Sequence, residues 1–116
     1  MQDLQEQNIK AKLTKARSKY DKDHPTVALL YMDLGDHYEL EGKFSEAERE
    51  YKRAAKIFEE LGLDHELLLA LAIKSAAEMA RIQNKMGAAK ALKQKARLLV
   101  REYCDRDFGC DDDPAA

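Results

Sequence analysis

The side chains best suited to chemistry in this 116-residue chain are three histidines and two cysteines. His24 and His65 each follow an Asp and occupy equivalent turn positions, so we interpret both as residues that start helices. His37 has no Cys or Ser near it in the pattern, and spacing therefore pairs no nucleophile with a base. The histidines predict structural roles rather than catalysis.

The two cysteines lie in the acidic C-terminal segment. No companion His or Cys pair accompanies Cys104 and Cys110, so their spacing does not predict a zinc site. A disulfide is not implied for a cytosolic chain, although exposed thiols there are able to cross-link two chains. Residues 105–109 open like a calcium loop, but its twelfth position, which needs an acid, is Ala116. The Asp-Phe-Gly within it has no kinase context. We predict no enzyme, no metal site and no cofactor.

Composition favours an all-helical protein. Charged residues make up 36% of the chain and aromatic residues 7%, with Ala, Leu, Lys, Glu and Arg dominant. Residues 33–66 carry 11 acids against 5 bases. Residues 79–101 carry seven bases and no acid, which suggests either a partner surface or, more simply, a solvated face. That stretch lacks interleaved aromatics and the whole chain has a net charge of −2, which argues against nucleic-acid binding.

The chain offers no sequence signal for a membrane or for export. No apolar run approaches the roughly 18 residues that suggest a membrane span. The N-terminal residues 1–10 lack the apolar core of a secretory signal. We therefore expect no membrane partner and a cytoplasmic location.

Local signals predict a pair of helices near the middle of the chain. Pro25 suits a first helical turn, and Gly42 suits the left-handed conformation just past a helix end. Ser45 with Glu48 forms an S-x-x-E capping box, which predicts that a second helix opens there and runs to Gly62. Because only about two residues separate the helices, they must run antiparallel.

A weaker copy of this unit follows 42 positions later. Asp64 is the candidate N-cap of its first helix. Asn84 stands where Gly42 stood, and Asn is the next-best residue for a left-handed position. Gly87 replaces Ser45 at the start of the next helix. The repetition of the helix ends, together with the apolar positions, predicts two copies of one structural unit.

The segment before these units reads as a single additional helix. Residues 4–20 carry one helical apolar stripe and match the end of the first unit at an offset of 41. The predicted architecture is an all-α solenoid of antiparallel helix pairs with about five helices. Its parts are a leading half repeat (1–22), a first unit (23–63), a degenerate second unit (64–104) and an acidic tail expected to be disordered (105–116).

At these residues the chain resembles the tetratricopeptide repeat family. The first unit has small and large residues in that family's order: Tyr31, Leu34, Gly35, Tyr38, Gly42, Phe44, Ala47, Tyr51 and Ala54. The phrases DHPTVA and GKFSEAEREYKRA are similar to the subclass found in kinesin light chains. The second unit departs from the pattern, with Ala80 replacing an aromatic residue and Lys93 standing where Tyr51 stood.

The resemblance implies non-catalytic binding of a peptide or protein segment on a concave face lined by the first helix of each pair. The corresponding positions are Leu29, Met32, Asp33, Asp36, Glu39, Leu40, Leu71, Lys74, Ser75, Glu78 and Arg81. The paired Asn that the subclass often places in its groove, and the Lys/Asn clamp for a terminal carboxylate, are both missing. The acidic first half favours a ligand with basic character, while solvated charge is the simpler alternative.

Self-association is the alternative function. The two ends of a repeat stack leave apolar faces that only a neighbour covers. Here those edges fall on residues 4–20 and 87–104, so a second copy of the chain would be a suitable partner and the protein a homo-oligomer.

Overall fold

The computed structural model describes residues 3–107, which form five α-helices and no strand. The helices are α1 (Asp3–Lys19), α2 (Pro25–Leu40), α3 (Phe44–Leu61), α4 (Glu66–Ile82) and α5 (Met86–Asp107), with a 3₁₀ turn at Leu63–His65 before α4. The predicted all-α class with about five helices is confirmed. None of these helices is both long and apolar enough to cross a membrane.

Each helix packs against the next one in the chain. The main packing pairs are α1 with α2, α2 with α3, α3 with α4, and α4 with α5. Three to five residues connect consecutive helices, so each pair runs antiparallel. The result is a slab with extents of 47 × 35 × 17 Å. This confirms the antiparallel helix-pair arrangement, in which the leading helix α1 has α2 as its main neighbour.

The two predicted units share one turn at the level of the backbone. Gly42 and Asn84 both have positive φ, at 76° and 66°. Around them three backbone hydrogen bonds recur at an offset of 42. In the first unit the N–H groups of Gly42, Lys43 and Ala47 donate to the carbonyls of Glu39, Tyr38 and Lys43, respectively. In the second unit the N–H groups of Asn84, Lys85 and Ala89 donate to the carbonyls of Arg81, Ala80 and Lys85. The left-handed residue reverses the chain, which is why Gly or Asn is needed.

The predicted start of α2 is also confirmed. His24 is the N-cap residue, its Nδ1 accepts a hydrogen bond from the Thr26 N–H at 3.1 Å, and Pro25 is the first helical residue. The His24 ring stacks on Tyr20, with the ring centroids 3.9 Å apart. His24 therefore orders the turn between α1 and α2, the structural role that its position predicted.

The predicted caps of α3 and α4 are wrong. Helix α3 begins at Phe44, so Ser45 lies inside the helix, and the N-cap residue is Lys43, whose side chain makes no capping hydrogen bond. Glu48 does not complete a capping box because its carboxylate is buried and accepts a hydrogen bond from Gln83 at 2.8 Å. Asp64 lies in the 3₁₀ turn, and His65, without a cap bond of its own, precedes α4. Tertiary packing overrides these local signals.

Helix α5 extends beyond the predicted end of the second unit. It continues to Asp107, so the boundary placed after residue 104 is three residues early. In this last turn, Arg106 Nη1 donates a hydrogen bond to Glu66 Oε1 at 2.8 Å, which joins the end of α5 to the start of α4. The rest of the predicted tail, 108–116, lies outside the described residues.

Two buried clusters form the core. One holds residues of all five helices around Val27, Phe58 and Ile73, and the other holds Leu34, Tyr38, Ala47, Tyr51, Ala76 and Met79. Met32 and Leu92 pack against both. In α4 the alanines at 70, 72, 76, 77 and 80 are all buried, so the core of the second unit is rich in alanine.

Candidate binding surface of α2 and α4

The eleven predicted groove residues all lie on α2 and α4. Nine of them are exposed, and the other two, Met32 and Ser75, are half-buried. Leu29 and Leu71 are equivalent across the repeat, as are Glu39 and Arg81. Ala76 and Met79 of α4 belong to the same buried cluster as Leu34 and Tyr38 of α2. The two helices that carry the predicted groove residues therefore share part of the core.

Leucines supply the apolar part of this surface. Leu29, Leu40 and Leu71 are 45%, 85% and 50% exposed. Leu67, in the first turn of α4, is also exposed, and the sequence interpretation missed it because the equivalent position of α2 is the helix-starting Pro25. Met32, by contrast, packs against both core clusters and supports the surface from beneath. Exposed leucines therefore stand on two helices that contribute to the same buried cluster.

The α2 half of the surface carries an acidic stripe, which we define as Asp33, Asp36 and Glu39. Their three-residue spacing places them on one side of the helix. The buried Tyr51 hydroxyl lies 2.5 Å from Asp36 Oδ1 and 2.9 Å from Glu39 Oε1, and it donates to these carboxylates. Burial, followed by these hydrogen bonds, raises the pKa of Tyr51 far above its ordinary value. Burial and then the neighbouring charge of Asp36 raise the pKa of Asp33, while Lys12 opposes the shift.

Gly35 makes the position of Tyr51 possible. A Cβ added at Gly35 would lie 2.8 Å from Tyr51 Cε1 and 3.0 Å from both Cδ1 and Cζ. At this glycine the backbone of α2 therefore lies directly against the Tyr51 ring of α3. In the second unit, Ala77 and Lys93 occupy the equivalent positions, and without the ring no glycine is needed. Gly35 thus indirectly orients the acidic stripe.

The α4 half carries both acidic and basic side chains, with one more base than acid among its predicted groove residues. Arg81 donates to the Glu78 carboxylate from both Nε and Nη2, with an Nε distance of 3.1 Å. This hydrogen bond lowers the pKa of the exposed Glu78. With Lys74 also exposed on α4, the candidate surface changes from acidic on α2 to slightly basic on α4. A ligand that crosses both helices would meet both kinds of charge.

A second, basic surface lies on α3. A cavity of about 470 Å³ is lined by Ser45, Glu48, Arg49, Lys52, Arg53, Lys56 and Lys85. Most of its bases already have acidic partners, because Lys52 and Lys85 pair with Glu48 while Arg49 and Arg53 pair with Glu50. Both glutamates are buried. These bases therefore neutralise buried acids at least as much as they offer charge to a ligand.

The other residues considered from the sequence are two histidines and two cysteines. The His65 ring stacks on Phe58 with a centroid distance of 6.1 Å, a packing role at the start of α4. Cys104 is a free, half-buried thiol on α5, and Cys110 lies outside the described residues. His37 is buried on α2 next to Glu41, an arrangement that its sequence position did not suggest.

Comparison with protein-family models, with curated proteins and with solved structures gave no match for the chain.

Proposed function

We propose that this protein is a tetratricopeptide-repeat-like binding module, and that α2 and α4 hold a peptide or protein segment without catalysing a reaction. The observation that carries the proposal is the repeated exposure of Leu29 and Leu71, at equivalent positions of α2 and α4, together with the acidic stripe on α2. Exposed leucine loses contact with water only when a partner covers it, and that burial favours binding. The cytoplasm is the location we propose for this role.

The chemistry of the surface defines the ligand class. Apolar anchors would contact the leucines of α2 and α4, and Lys or Arg side chains would lie near the acidic stripe. Because Tyr51 holds Asp36 and Glu39 from below, these carboxylates are oriented before any ligand arrives. Preorganised groups lose less entropy on binding. We therefore propose a segment that combines apolar and basic residues.

The test is selection of random-sequence peptides displayed on phage, followed by binding measurements with the selected peptides. Leu29→Glu and Leu71→Glu should each weaken binding at least tenfold, because each places a charge where an apolar contact is expected. Leu98→Glu is the matched control, since Leu98 is 47% exposed but lies on α5. Equal binding by all three variants would exclude the α2–α4 surface.

The selected peptides also report on charge. Asp33→Lys should reduce the affinity of peptides rich in Lys and Arg, and higher salt should have the same effect. Peptides without any basic enrichment would leave the leucines as the recognition element and exclude a role for the acidic stripe. Met32 is less suitable for substitution because it packs against the core.

Self-association remains the second candidate. Met86, Leu98 and Val100 are exposed on α5, and Leu4 is exposed on α1, although Leu13 and Ala16 of α1 are buried. A dimer in sedimentation at tens of micromolar that dissociates in Val100→Glu would support it, and a monomer would exclude it. Leu99 is unsuitable for this test because it packs against the core.

A further inference from the structure

Three potential metal ligands meet between α1 and α2. His37 and Glu41 are four residues apart around the end of α2, and Glu6 reaches them from α1. One ligand atom from each, the His37 ring nitrogen and one oxygen from each carboxylate, all lie within 4.8 Å of one another. It is the one such group of three among residues 3–107. Residues that are 31 positions apart in sequence therefore converge at one point of the fold.

Three polar atoms of His37 and Glu41, at the end of α2, are buried without a hydrogen bond. The side chains of His37 and Glu41 are 5% and 7% exposed. His37 Nε2 and both carboxylate oxygens of Glu41 make no hydrogen bond. His37 Nε2 lies 3.4 Å from Glu41 Oε2, and Lys43 Nζ lies 3.5 Å from Glu41 Oε1. Buried polar atoms are normally satisfied, so three in one place indicate a missing partner.

Two lysines and a tyrosine surround the cluster. Lys10 Nζ lies 2.7 Å from Glu6 Oε2, and the Tyr38 hydroxyl donates to the same oxygen at 3.2 Å. Lys10 and Lys43 are about half exposed, so both ammonium groups can turn into water when another cation arrives. Glu6 and the buried Glu41 would remain as two negative charges facing it.

We propose that Glu6, His37 and Glu41 bind a divalent transition-metal ion, with zinc as the best match. An imidazole nitrogen favours zinc and its neighbours over magnesium or calcium, and carboxylate oxygens complete a set that zinc accepts. A tetrahedral zinc ion needs its ligands roughly 3.3–3.6 Å apart. The three ligand atoms, now within 4.8 Å of one another, would have to draw closer to reach that range, and a water molecule would take the fourth position.

The metal would fasten the leading helix to the first repeat. Helix α1 packs mainly on α2, and Glu6 lies in its second turn, away from the connection at residues 20–24. A bond from Glu6 through the metal to α2 would therefore secure the free end of α1. Ion binding to the folded state alone also raises the midpoint of thermal unfolding.

The test titrates zinc alone into a Cys104→Ser, Cys110→Ser protein by calorimetry. We expect one site that saturates, a higher unfolding midpoint, and faster amide exchange in α1 without zinc than with it. Cobalt should give the visible absorption of a nitrogen–oxygen site without a thiolate charge-transfer band. Absence of saturable binding would overturn the proposal.

Variants separate the site from adventitious binding. His37→Leu and Glu6→Gln should each lower zinc affinity by more than the roughly 10–100-fold typical of second-shell changes. Glu6→Gln is the safer of the two, because Glu6 is only half-buried and its loss is compatible with folding. His65→Gln is the matched control: His65 also has a buried ring nitrogen without a hydrogen bond, but it lies outside the cluster.

Lys43→Gln supplies a test by gain of affinity. Removing the ammonium that competes for Glu41 should strengthen zinc binding about tenfold, an effect that no loss of folding can imitate. Unchanged affinity in Glu6→Gln and His37→Leu would show that zinc binds elsewhere and would overturn the proposal. Leu71→Glu should leave zinc binding unchanged, so this result is independent of the proposed peptide surface.

Discussion

Replacing Gly35 with Ala tests how closely α2 and α3 approach. The new Cβ would lie 2.8 Å from Tyr51 Cε1, so ring or backbone must move by more than half an ångström to reach ordinary contact. Tyr51 is held in place, because its ring is buried and its hydroxyl is hydrogen-bonded to Asp36 and Glu39 of α2. The ring can move only by lengthening those bonds or by displacing α3.

Two opposing effects set the magnitude. Overpacking a well-filled core typically costs about 1–3 kcal/mol. Replacing Gly with Ala inside a helix stabilises it by roughly 0.5–1 kcal/mol. The net expectation for Gly35→Ala is a free energy of unfolding lower by about 1–2 kcal/mol. For a chain of this size, that corresponds to a midpoint lower by roughly 3–8 °C.

The assay is urea unfolding followed by far-UV circular dichroism, with Gly87→Ala as the matched control. Gly87 lies in the first turn of α5, and no atom within 4 Å would meet its added Cβ, so this variant should be unchanged or slightly more stable. In a Tyr51→Leu background the penalty of Gly35→Ala should largely disappear. If Gly35→Ala proves as stable as Gly87→Ala, the close approach inferred here is wrong.

Two further predictions concern polar groups that join helices. Burial by itself would raise the pKa of Glu48, but hydrogen bonds led by that from Lys52 and including one from Gln83 hold it below its ordinary value of 4.5. Glu48→Gln should therefore destabilise the protein by about 1–2 kcal/mol near pH 7. The pKa of Glu48 is lower in the folded than in the unfolded state, so the stability advantage over Glu48→Gln is complete above about pH 4.5. That advantage should vanish as the pH falls through the folded pKa. Urea unfolding of both proteins at neutral and at acidic pH measures it. Arg106→Gln should lower the free energy of unfolding by about 1 kcal/mol, because the hydrogen bond from α5 to Glu66 of α4 is lost. Amide exchange should become faster mainly at the end of α5. An equal increase in exchange along the whole chain would contradict this prediction.

Much of the fold follows from local sequence. The turns at Gly42 and Asn84 depend on a positive φ and on hydrogen bonds between residues at most five apart. The start of α2 likewise depends on neighbours, His24 and Pro25. Such features form wherever the short segment has the right residues, so the sequence predicts them before any packing is known. The repetition of those turns at a constant offset then predicts paired antiparallel helices.

The positions of polar side chains depend on partners distant in the chain. Ser45 and Glu48 have the spacing of a capping box, yet Glu48 turns inward to Gln83 because burial with hydrogen bonds and ion pairs outweighs a single local bond. The predicted groove shows a similar limit: Leu29 and Met32 share a helix, but Leu29 is exposed whereas Met32 is half-buried and packs against the core.

The helices, their turns and their repetition are readable from local sequence, because each depends on sterics and hydrogen bonds within a few residues. Which carboxylates become buried, and which side chains meet, depends instead on how the helices pack. Glu6 and His37 show why: the sequence separates them by a helix and a turn, and only the packing of α1 on α2 brings them together.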